Sequence, residues 1–414
     1  MTPPLIKPKP RNPVRALRRP TLPPGARSRA ALRLTAAAAE GRFELQTCLD
    51  CAAVQYPPRS ACVKCLSHRL EWRAVDGAGE LISDTVLHHS NELYYRERVP
   101  VRLGLARLDA GPCLLVHLHD DCAAAPSRVR VRAHLDKSGQ AVLIALPPED
   151  MANMADDPML REMTSDPKFR KVLITDGKSA VGQALAKTLV EVGAEIVWAG
   201  VAEPWKQAPG LDELKTLPQV TIVPLDVTDA KSVAELAGTI GAKVDILINT
   251  AEFHRAHGIA DRGTETARAE MEVNYLGLIR LAQAFGPAMR ARAAEGTVPA
   301  AAWVNLLSIY ALSALPSHGT FSASQAAAFA LSQNLRAEMR HAGIRVVNVF
   351  SGPIDDEWNQ LVPPPKLAPA ALARAVVAAL RGGIEDLYPG DVAQDIVTRW
   401  RESAKVLERE LWDQ

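Results

Sequence analysis

The chain has 414 residues, which exceeds one ordinary domain, so two or three domains are expected. Hydrophobic residues make up 48% of it and charged residues 23%, as in globular proteins, and no apolar run reaches the roughly 18 residues that a membrane-spanning helix requires. The net charge is only +1, yet residues 1–148 hold 22 of the 48 Lys and Arg but 13 of the 47 Asp and Glu. A basic first part favours binding to a phosphate-bearing ligand or to an acidic surface. The acidic remainder of the same chain could be that surface.

The first 28 residues are basic and rich in proline. They lack the apolar central run and the cleavage site of a secretory signal, so we interpret residues 1–28 as a disordered arm. An alanine-rich stretch from Arg29 to about Glu40 then favours a helix that ends at Gly41.

Four cysteines follow as two CxxC pairs separated by ten residues: Cys48 with Cys51, and Cys62 with Cys65. Each CxxC turn lets two thiolates face one ion, and two such turns give the tetrahedral sulfur site that suits structural zinc. Iron in a rubredoxin-like site and four incidental buried thiols are the alternatives, and a redox dithiol is disfavoured because two pairs occur together. Metal spacing, rather than a disulfide framework, indicates a cytoplasmic protein.

Residues 29–75 are therefore predicted to form a helix and a zinc ribbon, and residues 76–147 a second small domain. Short β-branched runs alternate there with turn residues, at Glu80–Val86, Val101–Leu108, Leu114–Leu118, Arg128–His134 and Ala141–Leu146. About five short strands without long helices predict an OB-type barrel, with Cys113 and Cys122 as core thiols. The polar segment 148–168 is interpreted as a linker.

Strands and helices alternate through residues 169–414. The expected strands are Lys171–Thr175, Glu195–Ala199, Thr221–Pro224, Val244–Ile248, Ala301–Leu307 and Arg345–Phe350. This rhythm predicts an α/β Rossmann-like, doubly wound parallel sheet with right-handed crossovers. The whole chain is thus predicted to be multidomain, with a zinc ribbon and a small β-barrel before the α/β domain.

The first part resembles the rubredoxin-like zinc-ribbon plus OB-fold family that accompanies acyl-CoA enzymes. The matching segments are AAAEGRFELQTCLDC at 37–51, YPPR at 56–59, CVKCLS at 62–67, GAGEL at 77–81 and RVP at 98–100. The resemblance implies an accessory subunit or domain of a thiolase, aldolase or related CoA-ester enzyme, usually not itself a catalyst.

A CoA ester is accordingly a candidate ligand. Arg96, Arg98 and Arg102 could meet its phosphates, the alternative being an ordinary solvated face. The combination of ribbon and barrel also occurs in nucleic-acid binders, but Tyr94 and Tyr95 are the barrel's only adjacent stacking candidates, which disfavours nucleic acid.

Residues 170–414 resemble the short-chain dehydrogenase/reductase family. The family's phosphate turn, TGxxxGIG, reads TDGKSAVG at 175–182, so Asp176 and Ala180 replace two glycines and only Gly182 is in place. Those glycines let backbone amides approach a cofactor pyrophosphate at a helix N-terminus, and an aspartate beside the phosphate repels it.

Two further segments match the family's cofactor site. Asp226, in LDVT, stands where the family's aspartate contacts the adenine amine, with a helix cap as the alternative. Asn249 begins NTAE where the family has NNAG, and Glu252 adds a negative group near the nicotinamide side. NAD(P) is therefore a candidate cofactor for a weakened site.

The catalytic motif has lost its reactive pair. Asn274 matches the helix asparagine of the proton relay and Ser308 the substrate-orienting serine, although both can be structural only. Where the family has Tyr-x-Ala-Ser-Lys, this chain has FSASQ, with Phe321 in place of the proton-donating tyrosine and Gln325 in place of the lysine that lowers its pKa. Proton donation and electrostatic tuning of the donor each increase the rate by about 10²–10⁴, so the loss of both predicts negligible turnover.

Three hypotheses follow. The first is a non-catalytic accessory protein of a CoA-ester enzyme such as a thiolase or aldolase. This accessory protein would also associate with a second copy of itself, or with an active dehydrogenase, through the apolar helix 321–340. The alternative is that the helix only packs on its own sheet. The second is an active NAD(P)-dependent oxidoreductase on acyl-CoA or ketone substrates that uses Tyr310 or His318 as its proton donor. The third is a nucleic-acid binder through the barrel.

Overall fold

The computed structural model describes residues 2–7, 20–206, 208–261, 263–293, 299–360 and 362–412. Within them the chain forms two compact units. The first contains residues 21–166 with short segments from elsewhere in the chain, and the second contains most of residues 167–412. Much of the arm expected at 1–28, namely residues 8–19, lies outside the described residues. No helix in the described part of the chain is long and apolar enough to cross a membrane.

The first unit begins with a helix and a small ribbon. Helix α1 (Leu32–Ala39) ends before Gly41, whose φ of +73° suits glycine. The following three-stranded antiparallel sheet has the order β2-β1-β3 and contains β1 (Glu44–Cys48), β2 (Val54–Gln55) and β3 (Leu70–Ala74). Strand β1 is buried along its whole length and ends at the first cysteine of the metal motif.

The predicted barrel is confirmed. Its strands close in the order β4-β5-β6-β8-β7. They are β4 (Ala78–Leu87), β5 (Val101–Leu108), β6 (Cys113–Leu118), β7 (Ser127–Leu135) and β8 (Ala141–Leu146), with the short helix α2 (Leu93–Arg96) between β4 and β5. Buried and exposed residues alternate along β6 and β7, as expected where one face of each strand lines the barrel core. Cys122 belongs to that core, whereas Cys113 is exposed, so its expected core position is wrong.

The segment interpreted as a linker carries local structure. A single 3₁₀ turn at Met154–Asp156 precedes helix α3 (Pro158–Glu162), whose first turn is capped by Asp157 accepting from Leu160 N–H at 2.8 Å. Met163, just past the helix, packs with Ile144 and Leu146 of β8. This part of the segment therefore covers one outer face of the barrel.

The second unit is the predicted doubly wound sheet. Seven parallel strands lie in the order β11-β10-β9-β12-β13-β14-β15. They are β9 (Lys171–Ile174), β10 (Ile196–Val201), β11 (Val220–Pro224), β12 (Ile246–Asn249), β13 (Ala302–Ser308), β14 (Arg345–Ser351) and β15 (Asp386–Leu387). The last strand, with two residues, is absent from the sequence-based expectation.

Helices cover both faces of this sheet. They are α4 (Ala180–Glu191), α5 (Leu211–Lys215), α6 (Ala230–Ile240), α7 (Glu265–Glu270), α8 (Gly277–Arg292), α9 (Gly319–Arg340), α10 (Pro369–Gly382) and α11 (Asp391–Glu410). Alternate residues of β9 enter opposite cores: Val172 and Ile174 pack with α4 and α10, and Leu173 packs on the side of α6 and α8. Strand order reverses between β9 and β12, and in such sheets ligands bind beyond the carboxyl ends of the strands at that point.

Candidate functional site

The four predicted metal ligands converge in the ribbon. Their Sγ atoms all lie within 4.8 Å of one another, with Cys48 and Cys65 3.5 Å apart and Cys51 and Cys62 also 3.5 Å apart. Backbone N–H groups of Cys65 and Lys64 lower the pKa of the Cys62 thiol to about 6, which favours the thiolate form that binds metal.

This donor set fits a structural metal. Four sulfurs at this spacing match the closed tetrahedral site of zinc, and they leave no ligand position for a substrate. Among the residues that the structure describes, no other group of three or more His, Cys, Asp or Glu brings its ligand atoms this close.

Two of the three arginines considered for CoA phosphates hold the fold together instead. Arg102 donates to the backbone carbonyls of His119, Asp120 and Cys122 at 3.0–3.3 Å. The guanidinium of Arg98 lies 3.9 Å from the ring centroid of Tyr94. Both guanidinium groups are thus engaged in contacts within the fold.

The third of these arginines, Arg96, ends α2 with its side chain exposed. Arg98, two residues past the end of α2, also reaches the Glu162 carboxylate of α3 at 3.4 Å. Arg96 is thus the most exposed of the three candidates for a phosphate contact.

In the second unit, the side chain of Asp176 is hydrogen-bonded to the backbone of the turn in which it lies, between β9 and α4. Asp176 Oδ1 accepts hydrogen bonds from the backbone N–H of Lys178 at 3.0 Å and of Ser179 at 3.3 Å. Ser179 Oγ in turn caps α4 by accepting from Gly182 N–H at 3.1 Å. In turns of this kind the backbone amides at the helix N-terminus receive a cofactor pyrophosphate. Here a carboxylate of the same turn accepts their hydrogen bonds instead.

Gly182 has a packing role in this turn. A Cβ atom there would lie 1.9 Å from the backbone oxygen of Asp176, so only glycine lets the first turn of α4 approach the loop. Burial raises the pKa of the Asp176 carboxyl, and the two amide hydrogen bonds partly oppose that rise. A second anion at this turn would meet a carboxylate already in place.

Asn249 and Asp226 each make local contacts. Asn249 Oδ1 accepts from the Thr175 hydroxyl at 2.8 Å, which fastens the end of β12 to the phosphate turn. Asp226 Oδ1 accepts from the backbone N–H and the hydroxyl of Thr228 at 2.9 and 2.7 Å. Helix α6 is capped by Asp229 instead, so the alternative that Asp226 caps it is wrong.

Asn274 joins three parts of the site. It lies in a π-helical segment, Met271–Leu276, between α7 and α8. Its amide accepts from Phe253 N–H at 2.8 Å, donates to Phe253 O at 2.9 Å and donates to Ser324 Oγ on α9 at 2.9 Å. The side chain thereby fixes the loop after β12 against the helix that carries Phe321.

The two substituted positions, Phe321 and Gln325, are engaged in new contacts. The buried Phe321 ring stacks on His254 with centroids 4.1 Å apart and planes at 23°. Gln325 Oε1 accepts from Ser308 N–H at 3.1 Å, and its Nε2 donates to Glu252 Oε2 at 3.5 Å. A neutral amide thus bridges the end of β13 and the loop after β12.

The acid and the imidazole in this region have shifted pKa values. Burial, and then repulsion from Asp356, raise the pKa of Glu252 to about 7. Burial, followed by the neighbouring His318 and Arg255, lowers the pKa of His254 to about 4. At neutral pH His254 is uncharged, and Glu252 is divided between its protonated and ionised forms.

These groups line one pocket of about 440 Å³, its open mouth included. The chemically active lining residues are Glu252, His254, Ser308, Tyr310 and His318, and apolar residues including Phe321, Leu315 and Ile354 complete it. Tyr310 and His318, the suggested substitute proton donors, both reach this pocket. Sequence reasoning did not include His254, because nothing in its local pattern marks it as a neighbour of a residue 67 positions later.

Sequence models of known families match three consecutive parts of the chain. The short chain dehydrogenase model matches residues 170–365. The models described as ChsH2, rubredoxin-like zinc ribbon domain and ChsH2, C-terminal OB-fold domain match residues 35–71 and 72–135.

Curated relatives resemble the second unit. Short-chain dehydrogenase PC-15 of Penicillium crustosum is 30% identical over 204 residues, which cover 47% of this chain and 70% of the relative. Short-chain dehydrogenase ptmH of Penicillium ochrochloron is 29% identical over 245 residues, 56% of this chain and 85% of the relative.

Solved structures show the same similarity. A short chain dehydrogenase from Burkholderia cenocepacia J2315 in complex with NADP is 35% identical with a TM-score of 0.53, covering 60% of this chain and 99% of that one. A short-chain dehydrogenase from Streptomyces avermitilis, 24% identical with a TM-score of 0.51 and covering 58% of this chain and 96% of that one, shares the fold.

Proposed function

From residue 170 onward the chain belongs to the short-chain dehydrogenase family, and we propose that this member is a non-catalytic accessory protein of a CoA-ester-processing complex. In this proposal the dehydrogenase-like unit keeps its scaffold for assembly, and the ribbon and barrel dock on a thiolase-like or aldolase subunit. The observation that carries it is the replacement of both proton-transfer groups by Phe321 and Gln325, each of which is packed into a defined alternative contact.

Loss of chemistry is the first support. Phe321 has no ionisable proton and stacks on an imidazole that is neutral at pH 7. Gln325 carries no charge that could lower the pKa of a donor, and its amide is shared between Ser308 and Glu252. Because the family's reaction needs a proton at the carbonyl as hydride arrives, these two replacements remove the general acid and its electrostatic tuning.

The phosphate turn is the second support. Asp176 occupies the amides of Lys178 and Ser179 that a pyrophosphate would need. Glu252 stands in the loop after β12, where the family has glycine, and adds a further acid to the cofactor side. The residues present therefore do not fit a dinucleotide phosphate, and no step of this proposal uses one.

The ribbon and barrel are the part of the chain that suggests which partner it binds. Both resemble domains that accompany acyl-CoA enzymes, and four convergent cysteines give that part of the chain a metal-stabilised surface. Helix α9 offers a second route of assembly, with a further copy of this chain or with a catalytically competent dehydrogenase subunit. An accessory chain of this kind would act in the cytoplasm as one subunit of a larger enzyme.

Two measurements on the same preparation test the proposal. The chain is co-expressed with the products of its neighbouring genes, and the mass of the purified complex is determined. The isolated chain is then assayed for nicotinamide-dependent oxidation or reduction of acyl-CoA substrates. A defined complex together with no hydride transfer by the isolated chain supports an accessory role. Failure to form any complex would count against it.

A second candidate function is an active NAD(P)-dependent oxidoreductase with an unusual proton donor. It is favoured by the position of Tyr310 and His318 in the pocket beside Ser308, and by the NADP held by the 35% identical Burkholderia dehydrogenase. This candidate requires that Tyr310→Phe or His318→Gln abolish a measurable reductase activity of the purified chain. Equal rates in the wild type and both variants would remove it.

A further inference from the structure

The pocket beside Phe321 contains an acid without a cationic partner. Glu252 lines this pocket and is partly buried, in the loop after β12 at a position where the family has glycine. Its carboxylate lies in hydrogen-bond range of a neutral group, Gln325 Nε2, at 3.5 Å. Within the described part of the chain it forms no salt bridge. A buried carboxylate of this kind is costly unless a positive group reaches it, and a ligand can supply that group.

The pocket carries no positive charge of its own to meet this acid. As far as the structure describes it, the lining includes neither Lys nor Arg. Asp356 lies near enough for its charge to raise the pKa of Glu252, and it accepts from the side chain of Asn359 at 3.0 Å. Burial lowers the pKa values of His254 and His318, so both imidazoles are neutral at pH 7. The electrostatic balance of the pocket is therefore negative.

Two cations of the neighbouring segments are engaged elsewhere. The Arg255 guanidinium lies 4.3 Å from the ring centroid of Trp358. The Lys366 ammonium lies 3.7 Å from the Asp355 carboxylate. Burial and a second acid, and no cation, account for the raised pKa of Glu252. The charge of this acid thus remains to be neutralised by a group from outside.

Aromatic and apolar side chains form much of the remaining wall. The pocket of about 440 Å³, its mouth included, is lined by the rings of Tyr310 and Phe321 and by Leu315 and Ile354. Burial raises the pKa of the Tyr310 hydroxyl, so this ring is also uncharged at neutral pH. Aromatic rings attract cations, and a carboxylate in the same pocket adds a direct charge interaction. The wall suits a ligand with an apolar body and one positive charge.

We propose that this pocket binds a small organic ammonium ion, with its positive nitrogen at the Glu252 carboxylate and its apolar part against Phe321 and Leu315. The bound cation replaces the repulsion between Glu252 and Asp356 by attraction to both. A phosphate or carboxylate ligand of the same size adds a further negative charge and is repelled. Binding takes place in the isolated chain and does not depend on the complex proposed above.

Three probes of the same size separate charge from shape. Benzylammonium, benzyl alcohol and benzoate are titrated into the full-length protein at pH 8, and binding is followed by NMR. Benzylammonium should bind at least about tenfold more tightly than benzyl alcohol, and benzoate more weakly than either. In Glu252→Gln the affinity for benzylammonium should fall at least about tenfold, whereas that for benzyl alcohol stays unchanged and shows that the pocket is intact. Glu338→Gln, at an exposed acid on α9, is the matched control.

The pH dependence of binding provides a second test. Because burial raises the pKa of Glu252 to about 7, the ionised fraction of this acid grows between pH 6 and pH 8. The affinity of the wild type for benzylammonium should therefore rise about tenfold over this range. His254, His318 and Asp356, the other titratable groups nearby, remain in Glu252→Gln, so this variant reports their contribution alone. An equal rise in Glu252→Gln would show that the acid does not hold the cation.

Each other outcome at pH 8 also decides the matter. If benzyl alcohol binds as tightly as benzylammonium, the pocket recognises an apolar body only and the assignment of a cation is overturned. If benzoate binds most tightly, the charge balance described above is wrong. If benzylammonium binds the wild type and Glu252→Gln equally, the cation is held elsewhere on the chain. If benzylammonium does not bind at millimolar concentration, the pocket does not take an ammonium ion.

Discussion

The carboxylate of Asp176 accepts a hydrogen bond from the backbone N–H of Lys178 at 3.0 Å, at the first turn after β9. With the second bond from Ser179 N–H, the acid accepts from two backbone amides of the turn that leads into α4. A position at which the family has glycine therefore carries an acid that is bonded to its own turn.

Replacing this acid should uncover an anion site. In Asp176→Gly the amides of Lys178 and Ser179 lose their internal acceptor and a repelling charge is removed, so the affinity for NADPH should increase at least about tenfold, as expected for 1.4 kcal/mol or more. Titration of NADPH fluorescence measures it. Asp212→Asn, an exposed acid on α5, is the matched control. Equal affinities in the wild type and Asp176→Gly would show that the aspartate does not block the turn.

Restoring the catalytic pair alone should not restore activity. In Phe321→Tyr with Gln325→Lys, the new ammonium lies beside Glu252, whose Oε2 is 3.5 Å from the present Gln325 Nε2. The lysine should pair with that acid rather than lower the tyrosine pKa, and the phosphate turn remains filled by Asp176. Steady-state assays with NADPH should therefore give no turnover above the wild type, and substantial turnover of the double variant would contradict this reading of the site.

The stability of the protein should change with pH because of the titration of the Glu252 carboxyl. Burial raises its pKa to about 7 from an ordinary value of 4.5, so the folded chain favours the protonated acid. The resulting stabilisation is complete below about pH 4.5 and is lost as the pH rises through about 7. Glu252→Gln cannot ionise, so at pH 8 its free energy of unfolding should exceed that of the wild type by about 1–3 kcal/mol, at about 1.4 kcal/mol per pKa unit.

The difference between Glu252→Gln and the wild type should nearly vanish at about pH 5, below the titration of the buried acid. Denaturant unfolding of both proteins at the two pH values measures it. Glu338→Gln, an exposed acid on α9 that pairs with Arg290, should show little change at either pH. A stability gap independent of pH would mean that the Glu252 carboxyl is not titrating as described.

Metal content should depend on the CxxC pairs alone. Cys51→Ser removes one of four sulfurs that lie within 4.8 Å, and is expected to release the metal and unfold the ribbon, because few apolar residues support it. Cys113→Ser, at an exposed cysteine outside the cluster, should keep about one metal ion per chain. Elemental analysis distinguishes zinc from iron, and full metal retention by Cys51→Ser would overturn the ligand assignment.

Local patterns were sufficient for most of the fold. Short β-branched runs between turn residues predicted the barrel strands to within a few residues, and strand–helix alternation predicted the doubly wound sheet. Strand β15 was missed because its two residues, Asp386 and Leu387, are too few to produce a pattern. Helix α3 was missed because a five-residue helix beginning at a proline in a polar segment resembles a turn.

The site was less predictable, since its contacts join distant parts of the chain. The motif substitutions at 321 and 325 were visible in the sequence, but the stacking of Phe321 on His254 and the bridge from Gln325 to Glu252 depend on how the loop after β12 meets α9. The internal bonds of Asp176 depend on the conformation of a four-residue turn. Spacing alone indicates which residues are present in such a turn and not which groups they bind.

Hydride transfer by the isolated chain tests the central claim most directly. The purified full-length protein is incubated with NADH or NADPH and a keto-acyl-CoA, and nicotinamide absorbance is followed against a reaction without protein. We predict oxidation no faster than the protein-free reaction, because no group at positions 321 and 325 can deliver or tune a proton. Turnover of about 1–10³ s⁻¹, the usual range for enzymes, would contradict the account.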